Sequence, residues 1–194
     1  MKTNKILLLA FLGNLLIIEA SCVKSASDSA TSTGSADSSA LFTATIDGVN
    51  WQADSVSAVL NQLYFPGELK MLIITGYSSS KRIIIECSDT SSAGSNDSTI
   101  SLATYAEDSV SRNAAFEYFS RTSSALTDTL WGQGGLAIDG SATISSSDGV
   151  KKKVSGSFQF SARLFLVDSM GIDTAGSTVT ITNGVFKHIP YTLW

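Results

Sequence analysis

An all-β fold is what this sequence predicts, and three features predict it. Apolar residues alternate with polar ones at period two through most of residues 41–194. Asp-Gly and Asn-Gly pairs, which suit turns that need positive φ, punctuate the alternating runs. Helical character is confined to Thr104 to Phe119, with room for a turn or two, and the second half of that stretch also alternates. About nine or ten strands joined by short turns argue an antiparallel β-sandwich, with a closed lipocalin-like barrel as the alternative.

Before the strands comes a leader. Lys2 and Lys5 precede an apolar run from Ile6 to Ile18, broken only by Gly13 and Asn14. Its length suits a secretory signal core, roughly 7–15 residues, and falls short of the roughly 20 that a spanning helix needs. Ala20 and Ser21 then precede Cys22. This resembles a bacterial lipobox, in which cleavage exposes a cysteine that takes acyl chains such as palmitate. Glu19 stands where those signals usually carry Leu. The alternative is ordinary secretory cleavage that leaves Cys22 as a plain thiol.

Val23 to Ala40 is built of Ser, Ala, Asp, Thr and Gly around a single Lys, with no aromatic residue. Such a segment has too little apolar surface to offset the entropy of ordering it. As a coil it reaches roughly 20–25 Å, a fitting spacer between a lipid and a folded body. The expected division is a signal peptide over 1–21, a lipid-anchor cysteine and disordered tether over 22–40, and one β-rich domain over 41–194.

The strands follow in order. "LFTATIDGVNWQA" reads as a hairpin about Asp47-Gly48, with Phe42, Ala44, Ile46, Val49, Trp51 and Ala53 on one face. A pattern consistent on both sides of its turn fixes the register, because a slip of one residue would spoil it. "LKMLIITGY" and "KRIIIEC" flank "SSS" as a second hairpin. "SATISSSDGVKKKV" places a turn at Asp148-Gly149. "VSGSFQFSARLFLV" alternates from Val154 to Leu166, with Phe165 and Val167 making its far end apolar on both sides. "STVTITNGVF" alternates Val179 and Ile181 with threonines, and Asn183-Gly184 marks a bulge or turn before a last strand that ends near Pro190. Trp194 is expected to pack as a final plug.

The chain carries 13 basic and 17 acidic residues, net −4, so it lacks the basic footprint of a nucleic-acid binder. It has two cysteines. With Cys22 lipidated, Cys87 has no disulfide partner and reads as a small buried apolar residue. Constellations for catalysis are scarce. His188 is the single histidine, and no G-x-S-x-G elbow accompanies it. One histidine makes no histidine-rich metal site, and no calcium loop of D-x-D-x-D-G type occurs. Glu86 with Glu117 is a candidate carboxylate pair of the kind that glycoside hydrolysis uses. Most other carboxylates stand in Asp-Gly or Asp-Ser turn contexts. Lys151, Lys152 and Lys153 follow a turn and are expected to solvate a hairpin end. Trp131, in "LWGQGG", is either a loop anchor or a sugar-stacking platform. No catalytic residue, metal site or cofactor is assigned.

"FTATIDGVNWQA", "VSGSFQF" and "ITNGVF" together resemble a family of uncharacterised small lipoproteins from Bacteroidota that share a domain of unknown function. Their pattern is F-x-A-x-x-x-G-x-x-W, then V-S-G-x-F-x-F, then I-T-N-G-x-F. The resemblance covers most of residues 41–191 and is poorest from Ser88 to Gly135. It implies a β-rich fold in the cell envelope, with no catalytic residue to carry over; with Cys22 lipidated, the chain is expected at the outer membrane, on either its periplasmic face or the cell surface. It also implies O-glycan acceptors, because exported proteins of that class carry sugar on Asp-Ser/Thr motifs followed by an aliphatic residue or Thr. Matching triplets put candidates at Ser29, Ser98, Ser109, Thr129 and Thr174, with Ser55 and Ser169 less favoured for lying in strands. The expected partners are the membrane, through Cys22, and a glycan or envelope protein. A non-enzymatic binding module is the leading function class. A structural accessory subunit of an envelope complex and a carboxylate-dependent hydrolase are the alternatives.

Overall fold

A computed structural model describes residues 39–63, 69–90, 98–107, 113–121, 133–168, 171–173 and 176–194. All belong to the unit Asp37–Trp194. The expected signal peptide, Cys22 and the tether up to residue 38 lie outside the described residues.

The first hairpin forms as its pattern requires. Strand β1 (Leu41–Ile46) pairs with β2 (Val49–Gln52), with Ile46 opposite Val49 and Ala44 opposite Trp51. The turn residues Asp47 and Gly48 have φ of 48° and 80°, the mirror-image turn that matches strand twist. Phe42, Ala44 and Ile46 are buried. Val49 shares their face but is 69% exposed, because β2 ends the sheet path.

Next come β3 (Ser55–Leu63), β4 (Leu69–Tyr77) and β5 (Lys81–Asp89), paired in sequence order. Ser78 closes the β4–β5 turn: its amide donates to Lys81 O at 2.8 Å, and its hydroxyl accepts from Lys81 N at 3.0 Å. The stretch that allowed a helix forms β6 (Thr104–Glu107) and β7 (Ala114–Ser120) instead, and no helix occurs among the described residues. Ala114, Phe116 and Tyr118 bury at period two against β5, and that pairing outweighs local helix propensity. The C-terminal half comprises β8 (Gln133–Asp148), β9 (Lys153–Asp168), β10 (Gly171–Asp173), β11 (Thr178–Pro190) and β12 (Thr192–Leu193).

All twelve strands join one sheet, ordered β12-β3-β4-β5-β7-β8-β9-β11-β1-β2, with β6 on β8 and β10 on β9. The sheet is mixed, which corrects the purely antiparallel expectation at one pair: β12 runs parallel to β3. Tyr191 buries beneath the sheet, so the last residues lie along β3, where Trp194 N donates to Leu60 O and Gln62 N to Trp194 O, each at 3.1 Å. Trp194 itself is 79% exposed, and Tyr191 takes the role of plug expected of it.

The sheet curls around one face. Residues from β1, β3, β4, β5, β7, β8, β9 and β11 on that face share a single buried cluster. At its centre Phe158 lies 5.1 Å from Phe42 and 6.4 Å from both Phe160 and Phe186, while Phe116 stacks on Phe160 at 5.1 Å. Each such ring contributes about 2–3 kcal/mol by leaving water. Cys87 is fully buried here, as its setting predicts, and burial pushes its thiol up to about 12.

Two further devices complete the curl. Residues 49–63 turn a corner at Ala53 and Asp54, so that β2 serves one end of the sheet path and β3 the other. Ala53 N donates to Phe42 O at 2.9 Å, and Asp54 N to Tyr77 O at 2.7 Å. Trp51 caps this corner, edge-on to Phe42 at 5.9 Å, its indole donating to Ser78 Oγ at 3.0 Å. Residues 98–103 form a strap across the core. Ile100 is buried, and its amide donates to Ser147 Oγ at 3.2 Å. Lys70 Nζ donates to Thr99 O at 3.1 Å, Asp89 Oδ2 accepts from Ser101 N at 2.9 Å, and the Tyr105 hydroxyl donates to Ser101 O at 2.9 Å. The Tyr191 hydroxyl donates to Ser98 O. Lys70 and Asp89, cross-strand partners, are 4% and 3% exposed, so the strap is held by charged groups that water scarcely reaches.

Candidate functional site

Strand β9 lies between β8 and β11, and each neighbour bulges twice along it. Beside Ala162 and Ser161, β8 inserts Ile138, while beside Gln159 β11 inserts one residue between Ile181 and Gly184. Beside Ser155, β8 inserts Ser145 and β11 inserts one residue between Phe186 and Ile189. The β11 bulges carry positive φ, 51° at both Asn183 and His188, residue types that tolerate it. Gly184 follows the first bulge because an added Cβ would lie 2.5 Å from Phe158 O.

A bulge turns two successive side chains to one face. Ala137 packs inward, whereas Ile138 and Asp139 are both exposed; Ile181 and Gly184 are buried, whereas Thr182 and Asn183 between them look outward. The outer surface of β9 is therefore sunk between raised neighbours. A depression of about 410 Å³ results, walled by Asp139, Gly140 and Ser141 on one side and by Thr180 to Thr182 on the other, with Gln159 to Ser161 as its floor.

The walls are rigid. Asp139 Oδ1 accepts from Ser161 N at 3.1 Å, tying the bulge to the floor. Thr180 N donates to Asp47 Oδ1 at 2.8 Å and Thr180 O accepts from Asp47 N at 2.9 Å, so the first hairpin turn braces the far wall. The functional atoms, by contrast, are unengaged. Asp139 Oδ2, the Gln159 carboxamide and the hydroxyls of Ser141, Ser161, Thr180 and Thr182 have no hydrogen bond among the described residues. The lining has one carboxylate and no cationic side chain. Ile138 and Leu136, 53% and 44% exposed, form an apolar shoulder beside Asp139.

None of these residues is a functional candidate in the sequence. Asn183-Gly184 marks one wall's bulge; the Asp-Gly pair at 139–140 marks the other and is the signal that would have found it.

The sequence candidates are scattered. Glu86 and Glu117 do come together on the outer face of β5 and β7: Glu117 stands opposite Ile84 and Glu86 opposite Ala115, a diagonal pair. Burial, then Glu117, then Glu107 push the Glu86 carboxyl up to about 7. Burial raises Glu117 also, opposed by Arg82, whose guanidinium lies 4.1 Å from the Phe119 ring centre. Glu117 Oε2 is buried with no hydrogen-bond partner among the described residues. The depression on β8, β9 and β11 does not include this pair.

His188 is exposed at the second bulge of β11, its amide donating to Ser155 Oγ at 2.9 Å. Lys151 and Lys152 are exposed in the β8–β9 turn, where Asp148 Oδ1 accepts from the Val150 and Lys151 amides at 3.0 and 2.9 Å. Among the glycan-acceptor candidates, Ser98 is half-buried at the start of the strap, and Ser55, the less favoured one, is exposed at the start of β3. Cys22, Ser29, Ser109, Thr129, Trp131, Thr174 and Ser169 lie outside the described residues. Among the described residues no group of His, Cys, Asp or Glu could hold a metal ion, and no helix is long and apolar enough to cross a membrane.

Residues 38–190 match the model of a family described as a domain of unknown function, DUF6252, and the chain belongs to that family. No curated protein and no solved structure matches it.

Proposed function

We propose that this member of the family is a small lipoprotein of the Bacteroidota envelope, held by acyl chains on Cys22 at the outer membrane, whose β domain binds glycan without transforming it. One observation carries the binding role: six unengaged polar groups converge on a single rigid depression. Hydroxyls, a carboxamide and a carboxylate are the groups that exchange hydrogen bonds with sugar hydroxyls, and here they project from backbone that Asp139 and Asp47 hold in place. The net charge of −4 and the absence of cationic lining favour a neutral ligand.

The test is a glycan array probed with the full chain extracted in detergent. Binding is expected, and Gln159→Ala should weaken it by roughly tenfold, the loss of about one to two hydrogen bonds. A wild-type chain that binds no glycan, or a variant that binds as well, overturns the reading. Anchoring is tested separately: a clickable fatty acid should label the wild type and not Cys22→Ala. O-glycan on the exported chain is a further part of the proposal, with at least one of Ser29, Ser98, Ser109, Thr129 and Thr174 as acceptor and a mass difference from chain made in a host without that pathway as its check.

One observation favours a second reading. Glu86, poised near neutrality beside Glu117, has the character of a general acid. A hydrolase that uses the pair would lose activity with either Glu86→Gln or Glu117→Gln, whereas glycan binding at Gln159 would be untouched.

A further inference from the structure

We infer that the depression on β9 selects an N-acetylated hexosamine, an inference that rests on the glycan-binding reading above. An acetamido group presents three things at once: an N–H donor, a carbonyl acceptor and a methyl. The site and its shoulder offer a partner for each, from β8 and the adjoining floor. Asp139 Oδ2, left over after Oδ1 accepts from Ser161 N, takes the N–H. The Gln159 carboxamide, diagonal to Asp139 on the floor, donates to the carbonyl. Ile138, which the bulge turns outward beside Asp139, covers the methyl.

The pairing of Ile138 with Asp139 is the informative feature. Regular alternation would put one of them in the core, and only the bulge gives a carboxylate and an aliphatic side chain adjacent places on one face. A simple hexose fills the hydroxyl partners at Ser141, Thr180 and Thr182 but has nothing for the aliphatic shoulder. The acetamide gains one hydrogen bond and one covered methyl, together worth about tenfold in affinity.

The experiment compares methyl N-acetyl-β-D-glucosaminide with methyl β-D-glucoside, titrated against the full chain in detergent by NMR. The wild type should bind the first about tenfold more tightly. Ile138→Asp, at an exposed position that leaves the core intact, should bring the two within about twofold. Gln159→Ala should weaken both. Equal wild-type affinities would overturn the inference and leave glycan binding standing. An acetamide preference that survives Ile138→Asp would overturn the assigned shoulder. If neither sugar binds, the inference and the glycan reading fall together.

Discussion

Glu86 is a carboxylate placed where charge is costly, and pH is the way to read that cost. In the unfolded chain it titrates near 4.3; in the fold, burial and the neighbouring Glu117 and Glu107 raise it to about 7. Between those values the folded state keeps a proton that the unfolded state has released, so stability falls as pH rises through the window. Glu86→Gln removes the titration. Its unfolding free energy in urea is expected to exceed that of the wild type by about 1–3 kcal/mol at pH 8 and to converge on it near pH 4. A gain that does not depend on pH would place the effect in packing instead. Gly48 gives a second test. At φ 80° it sits where a β-branched residue is strained, and Gly48→Val should cost about 1–3 kcal/mol in denaturation. The sequence showed Gly48 plainly, because an Asp-Gly pair between matched alternations has one simple meaning. It named Glu86 and Glu117 as a pair without reaching their ionisation, which depends on how neighbouring strands register.

At the level of the element, alternation made β1, β4, β5, β9 and β11 legible, and the same rule hid the site. Paired bulges are departures from period two, and a departure reads as noise unless its partner strand is known. Asn183 and Gly184 announced their bulge through residue type; Ile138 and Ser145 carried no such mark of their own. The strap over 98–103 was equally invisible, since it has no periodicity, and its contacts reach back to Lys70 and forward to Tyr191. Tyr191→Phe keeps the ring in the core and deletes the hydroxyl that holds Ser98 O. It should cost about 1–2 kcal/mol. Amide exchange in residues 98–103 should quicken more than exchange in β9; uniform quickening would mean that the strap is no separate unit.

For the whole molecule, the sheet's order matters more than its count of strands. The expectation of an all-β domain beginning near residue 41 could be drawn from turns and alternation alone, but the joining of β1 to β11 could not, because nothing local records which distant strand completes a ladder. Leu41 to Ile46 pair with residues 181–187, at the opposite end of the chain. Contacts so distant in sequence form late, since the loop between them must close first. A chain ending at Gly176 lacks β11 and should show no cooperative unfolding transition, whereas one that still melted sharply would mean that β1 to β9 suffice. The same ladder bears on the export proposed above. A chain threaded across a membrane from its N-terminus presents β1 first and β11 last, so its first strand must wait, unpaired on that edge, until the final residues emerge. Under the export proposed above, the domain would stay incompletely paired in transit and become compact only once its last residues have emerged.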